Sequence, residues 1–511
     1  MGYKEIILKL PPGYEEEELL RAIQKEIGTS DFSHQIIHKS LDSRKKSNIF
    51  WQMKVDVISR HISGERPEPS PGLQIPFRKR DKKIIVAGSG PAGFFSACVL
   101  NQAGFQVTVI ERGSDVIKRA KGIKQFETTG VLDEMNNYAF GEGGAGTFSD
   151  GKLTSRSKHI TKEKTFMIER YIKAGAPPEI GYLAHPHLGS DNLRKIVINL
   201  RNDFLNAGGQ ILFETQLTDL VLKNDTVMAA ITTTGEIEAD AVMIAPGHSA
   251  YDTYRMLIKR GVKFRTKHFA IGCRVEHPQE LINEAQWGKK YLPGVKAAEY
   301  RLAEKNGPLL PVYTFCMCPG GAIVPATPFK HTNIVNGMSF FKRDGRFANA
   351  ACVAGVSIER LLQKETSPAC ALSFLESLEE RFFTYSNSYK APFCGINDFI
   401  QKKLSSRAVE TSYPLGLAPA PLWELLPPDV SVSIREGLKN FTRKIKGFET
   451  GNIMGLESKT SSPVQVVRDS HYRCDGFQNL YLLGEGSGFS GGIVSSGADG
   501  IRAAMQLIDN S

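Results

Sequence analysis

The chain has 511 residues, 41% of them hydrophobic and 23% charged, with a formal net charge of +10. That length calls for two or three domains rather than one core, and the composition is that of an ordinary soluble globular protein. No apolar run reaches transmembrane length, the opening MGYKEIILKL is polar within four residues and is not read as a signal peptide, and eight cysteines without a spacing framework suit a reducing cytoplasm.

Residues 1–62 read as a small βαββ module. Ile6, Leu8 and Leu10 alternate on a strand, Leu19, Leu20, Ile23 and Ile27 form a helix face behind the acids Glu15–Glu18, and Ile49, Trp51, Met53, Val55 and Val57 alternate again. Residues 63–79, with Gly64, Pro67, Pro69, Pro71, Gly72 and Pro76, have the composition of a linker. The basic cluster Arg78–Lys83 closes it. It is too short for a nucleic-acid arm and reads as a solvated run, so the positive charge is assigned to anionic small ligands, with neither nucleic acid nor membrane expected as a partner.

Lys83–Glu111 is a dinucleotide-binding fingerprint: strand, glycine turn, helix, strand, acid. Gly88 permits the turn, Gly90 lets backbone approach a pyrophosphate, Pro91 and Ala92 open the helix, and Gly93 lets that helix pack close on the strand. The phosphates would sit at the helix N-terminus, where unpaired amides and the helix dipole favour an anion. Glu111, followed by Arg112, is placed to accept from a ribose hydroxyl, which favours FAD or NAD over NADP.

Gly141–Gly146 also fits GxGxxG, yet no apolar strand precedes it and Asp150-Gly151 interrupts the following helix, so it is not a second nucleotide fold. His185 and His187 have metal-like spacing without an accompanying cluster, and no metal is expected. Asp240–Gly247 is a further apolar strand. Residues 263–454 then carry strands at Phe269–Val275, Tyr313–Cys316 and Ile334–Met338 and a helix near Ala371–Thr384, read as a substrate or cap domain inserted between the two parts of a cofactor domain, 80–262 and 455–511. Near the C-terminus, Asn479–Ala504 repeats the order strand, glycine turn, helix. No second complete fingerprint and no CxxC pair occur, so NAD(P)H is expected only as a transient donor and disulfide-reductase chemistry of the CxxC type is disfavoured.

Candidate chemistry lies at three places. Arg274 and His277 end an apolar strand, where a cation could clamp a substrate carboxylate and an imidazole relay a proton. His248 follows the Ala-Pro-Gly strand. Cys316 and Cys318 are the one close cysteine pair, either redox-active or a structural loop before Pro319.

The segments Phe140–Thr154, His185–Val197, Gly272–Pro278, Phe315–Gly321, Asn336–Ser339, Thr460–Val464 and Gly484–Ile493 together resemble the bacterial family of uncharacterised FAD-dependent, or NAD(FAD)-utilising, dehydrogenases, within the glutathione-reductase-like flavoproteins. The resemblance spans nearly the whole chain and implies non-covalent FAD in an α/β Rossmann-like domain with an inserted α+β cap and the N-terminal module. It implies that Gly484 and Glu485 meet the ribityl chain or phosphates, and that Gly491, Gly492 and Ile493 start a helix aimed at the flavin. Gly143, Gly144, Ala145, Gly146, Thr147, Ser149, Asp150 and Gly151 become a flavin-facing loop. Ala245 and Gly247 occupy the superfamily's Ala-Thr-Gly strand, with Pro246 in place of threonine, and Leu217 joins the cofactor-binding set. The expected reaction is hydride transfer between flavin N5 and a small-molecule substrate held between the FAD and cap domains. A flavin-dependent tRNA-modifying enzyme and a non-enzymatic module retaining the flavin fold stay open as alternatives, and nothing in the sequence sets an oligomeric state.

Overall fold

A computed structural model describes residues 1–68, 71–305, 309–405 and 409–511, so Pro69 of the expected linker lies outside the described residues. The first element group is a three-stranded antiparallel sheet, Gly2–Leu10, Ser33–Asp42 and Phe50–Ser59, with the third strand in the middle and the helix Glu16–Ile27 across it. Alternation puts Ile6, Leu8, Leu10, Met53, Val55 and Val57 on the face that Leu19 and Ile23 cover. The Glu15 amide donates to Glu18 Oε2 at 3.0 Å, so the acids of the helix start cap it as well as suiting its dipole.

The segment after Ser59 has little regular structure, but it is a strap rather than a free tether. The Tyr3 amide donates to Gly64 O at 3.0 Å, Leu73 and Ile75 pack on the core of the next unit, and the Arg80 amide donates to Gly104 O at 2.9 Å.

The central unit is a five-stranded parallel sheet in the order Leu480–Leu482, Ala241–Ile244, Lys83–Ala87, Gln106–Ile110, Gln210–Leu212. Its strands come from widely separated parts of the chain, since parallel neighbours need crossover connections, and the inner strands Lys83–Ala87 and Ala241–Ile244 are near-continuous apolar runs because both faces are covered. Helices Pro91–Gln102 and Ile493–Asp509 pack against each other on one face. On the other lie the antiparallel meander Leu217–Lys223, Thr226–Thr232, Gly235–Glu238 and the helix Tyr251–Lys259.

The third unit is an eight-stranded, largely antiparallel sheet whose long central strands are Val312–Pro325, Phe347–Val356, Phe269–Pro278 and Asn452–Glu457. Helices Pro368–Ser386 and Pro428–Lys444 bury Leu375, Phe382, Ile434 and Phe441 against it. The strand Asn452–Glu457 runs through the expected division at 454/455, so that sheet continues past it before the chain returns through Val464–Val466, which pairs with Phe264–Thr266.

The parallel sheet positions the cofactor turn through two glycines. Gly88 has φ +104° directly after the strand, and a Cβ on Gly93 would collide with the Gly88 carbonyl oxygen. Backbone cannot move aside as a side chain can. Gly93→Ala is therefore expected to lower stability by about 1–3 kcal/mol, read as a fall in the thermal midpoint; an unchanged midpoint would show that the helix is free to slide away from the turn.

Candidate functional site

Three segments far apart in sequence converge at the carboxyl end of the parallel sheet. Ser89, Pro91, Gly143, Gly146, Thr147 and Ile493 line a common cavity that runs along the helix Pro91–Gln102. Gly90 is the N-cap of that helix with Pro91 in its first turn, and a Cβ on Gly144 would lie 2.9 Å from Gly90 Cα. Fingerprint and glycine-rich loop thus meet backbone to backbone. The loop opens a four-residue 3₁₀ turn, Ala145–Phe148, and no helix.

A residue absent from the sequence reading holds this loop. Arg119, on the helix Val116–Thr129, is fully buried and donates to the carbonyls of Asn137 (2.9 Å), Tyr138 (3.1 Å), Gly141 (3.2 Å), Glu142 (2.8 Å) and Gly144 (2.9 Å). Burial pulls its guanidinium down to about 10 while Glu111 and Glu142 oppose that shift, so it stays charged near neutrality. Its forked donors suit carbonyls that point inward from a curved loop.

Glu111 does not stand open for a ribose. Its carboxylate already accepts from the Ser89 amide (2.9 Å) and hydroxyl (2.7 Å), the Gly113 amide (3.0 Å) and the Gly141 amide (3.1 Å). These contacts tie the fingerprint to the loop, and a ribose hydroxyl would have to replace the Ser89 hydroxyl. Arg112 lies over the Phe140 ring and pairs with Asp252 at 2.9 Å. Leu217 is a correction: it is buried in the core under the meander, facing away from the cavity.

The end of the loop is also corrected. Asp150 receives both arms of Arg343 (3.0 and 2.7 Å) and Lys152 Nζ (3.0 Å), leaving its carboxylate to serve as a clasp to the mixed sheet and not as a cofactor ligand. Burial pushes that carboxyl up, but Lys152 and Arg343 outweigh it and hold it well below the usual range. Lys152 also donates to Met317 O. Ser149 bonds within the loop, to Gly146 O and the Gly151 amide; Thr147 is buried, and Gly151 stands against Leu193. His187 is buried with Nε2 on Phe341 O at 3.0 Å, and His185 is exposed.

At the C-terminal turn, the Gly484 amide donates to Asp499 at 2.8 Å, and Asp499 pairs with Arg468, whose guanidinium lies over Phe489. Gly491 and Gly492 are exposed at the start of the last helix, while Ile493 packs on Gly146. Ala245 bonds through its amide to Ala87 O at 2.7 Å, a Cβ on Gly247 would meet nothing within 4 Å, and Pro246 abuts Gly486, which gives the proline a packing role where threonine was expected. Glu485 Oε2 lies 3.0 Å from His248 Nδ1, and His248 Nε2 is buried without a partner among the described residues.

Two of the catalytic expectations fail. Arg274 is fully buried and its donors go to Asn349 (2.7 Å), Asn336 (3.1 Å), Glu457 (2.8 Å) and Cys316 O (2.7 Å), so none is left for a substrate carboxylate. His277 lies in the core on Phe448, its Nε2 donating to Phe448 O at 2.8 Å, with burial lowering it to about 4. Cys316 and Cys318 sit where Arg274 and Lys152 converge.

Residues 81–246 match the family model described as FAD binding domain, residues 268–460 that of the FAD-dependent protein, C-terminal domain-like family, and residues 3–58 a domain of unknown function. An uncharacterised protein of Clostridium beijerinckii is 38% identical over 493 residues, covering 93% of this chain and 92% of that protein. The chain belongs to the family of that protein. Its cofactor is FAD. The small chain of the NADPH-type glutamate synthase of Bacillus subtilis matches over 39 residues, 56% identical and 8% of either chain. Among solved structures, a geranylgeranyl bacteriochlorophyll reductase-like protein of Thermoplasma acidophilum is similar at a TM-score of 0.38 and 13% identity, covering 84% of this chain and 79% of that one. The glycine oxidase of Bacillus cereus is similar at a TM-score of 0.31 and 12% identity, over 84% and 95%.

The residues of this flavoprotein fit FAD. The amides of the first turns after Gly90 and Gly492 have no partners within their own helices and suit a pyrophosphate and an electron-rich ring edge. The cradle between Gly90, Gly143 and Gly146 is one that side chains would fill.

Glu142 gives the flavoprotein a pH signature. It accepts from the Val116 amide at 2.7 Å and Arg201 at 2.9 Å, its Oε1 has no partner among the described residues, and burial lifts it from 4.5 to about 7 against the pull of those groups. The folded state then binds this proton more tightly than the unfolded chain, so stability declines as pH rises between 4.5 and about 7. Glu142→Gln should flatten the thermal midpoint across that window relative to wild type. Parallel profiles for the two proteins would contradict the assignment.

Proposed function

We propose that this chain is an oxidoreductase that holds FAD without a covalent bond and exchanges electrons between it and a small-molecule substrate bound against the mixed sheet. The observation that carries this is the single cavity lined jointly by the fingerprint turn, the Gly143–Thr147 loop and the start of the last helix. When bound there, FAD supplies the two-electron chemistry, and the protein supplies binding, orientation and proton management. Helix N-termini would face the anionic parts of bound FAD, and the Arg343–Asp150–Lys152 clasp ties the cofactor loop to the turn between two strands of the eight-stranded sheet.

His248 is assigned the proton. With Nδ1 hydrogen on Glu485, Nε2 is an acceptor that no protein group uses, and a histidine so oriented can take or return a proton as the substrate is oxidised or reduced. The electron donor binds transiently, since the chain has one complete nucleotide fingerprint.

The purified protein is expected to be yellow and to release FAD, not FMN, on denaturation without proteolysis. A colourless chain that does not take up FAD would remove the proposal. His248→Ala should retain its FAD while anaerobic bleaching by an active donor slows by about 10²-fold or more; bleaching at the wild-type rate would take the proton role away from His248.

A further inference from the structure

We propose that Cys316 and Cys318 form a redox-active dithiol–disulfide pair that exchanges two electrons with the bound FAD. This rests on the FAD-dependent oxidoreductase reading above and names the group on the protein side through which electrons reach or leave the flavin.

The geometry begins with the backbone. Along the strand Val312–Pro325, Phe315 pairs with Ala351 and Cys318 with Asn349, so one extra residue is inserted between the two registers. Such a bulge re-aims the side chains it carries and is over-represented next to active sites. Cys316 sits in it at φ +45°, the left-handed region that side-chain-bearing residues avoid. Holding a cysteine there is strained, and a bulge bends the chain more tightly than the extended strand that would keep residues two apart at the upper limit for a disulfide.

The surroundings then favour thiolate chemistry. The Cys318 thiol donates to Cys316 O at 3.3 Å, and Arg274 Nη2 reaches that oxygen at 2.7 Å and Cys318 Sγ at 3.5 Å. Lys152 reaches the intervening carbonyl of Met317. Glu457 and Asp150, the acids of the cluster, are paired with Arg274 and with Arg343 and Lys152, and Tyr300 adds a buried hydroxyl without a partner. The hydrogen bond from Cys318, with Lys152 and Arg274, lowers the Cys316 thiol despite burial, whereas Cys318 is raised. Burial pushes Cys98, Cys352 and Cys474 up to about 12, so the chain treats its other buried cysteines as inert packing.

Location completes the case. Lys152 directly follows Gly151 of the cofactor loop, pairs with Asp150 of that loop and donates to Met317 O between the two cysteines, so the cofactor loop touches the bulge that carries the pair. Cys316 is partly exposed and Cys318 buried, an arrangement of one outward and one resolving thiol.

The step balances without a further reagent. Both S–H bonds break and one S–S bond forms; the two electrons and one proton reduce FAD to its anionic two-electron form, and the second proton leaves to solvent. In the opposite direction the same atoms return.

The test is an anaerobic dithionite titration of the FAD-loaded full chain, first oxidised with diamide and freed of it, with FAD content measured on the same sample. Wild type should take up about four electrons per FAD, and Cys316→Ser and Cys318→Ser about two each. Peptide mapping of the oxidised wild type should show Cys316 and Cys318 resistant to alkylation until reduced. A wild-type protein with full FAD that takes up about two electrons and alkylates at both cysteines after diamide overturns the pair while leaving the FAD reading intact. A chain that takes up no FAD overturns both.

Discussion

A loop built from glycines has no side chains with which to hold itself, and the site depends on what holds the loop Gly141–Gly146. Arg119 does so from below, with one buried guanidinium donating to five backbone carbonyls. Flexible backbone is useful only if it is fixed before the ligand arrives, because ordering it at that moment subtracts from binding. The charge is tolerated in the interior because carbonyl dipoles surround it and Glu111 and Glu142 stand nearby. From this one contact follow the meeting of Gly144 with Gly90 and the shape of the cavity along the first fingerprint helix.

The same loop is tied at both ends to other layers. Glu111 joins its start to the fingerprint turn through the Ser89 and Gly141 amides, and Asp150 joins its end to Arg343 of the mixed sheet. A displacement of the sheet would therefore pull on the cofactor loop, and the Lys152 contact with Met317 passes the same constraint to the cysteine bulge. The C-terminal turn is held separately, by Asp499 and Arg468.

Much of this was legible in the residues, and the boundary of legibility has a physical cause. The glycine turns and the strands beside them are local, so spacing alone identifies Gly88, Gly90 and Gly93, and alternation identifies the N-terminal sheet. The helix Pro368–Ser386 and three strands of the eight-stranded sheet overlap the expected ones, whereas Phe347–Val356 and Asn452–Glu457 have no counterpart among them. Polar roles were harder because they depend on partners distant in sequence. Arg274 and His277 lie on a strand buried on both faces from Phe269 to His277, where a charge has to be satisfied internally. The unbroken apolar run before Arg274 was the available signal for that. Asp150 follows the same logic, since its partner Arg343 is nearly two hundred positions away, and Arg119 carries no motif of its own. Pro246 could be read only as a departure until Gly486 was seen against it.

The central claim is that the glycine-rich loop is shaped by Arg119 before FAD binds. Hydrogen–deuterium exchange of the apoprotein, followed over Gly141–Phe148 in wild type and Arg119→Met, measures this directly. The account predicts slow exchange in wild-type apoprotein and fast exchange in the variant, with the parallel sheet equally protected in both. Fast exchange of the loop in wild-type apoprotein, slowed only by added FAD, would contradict it.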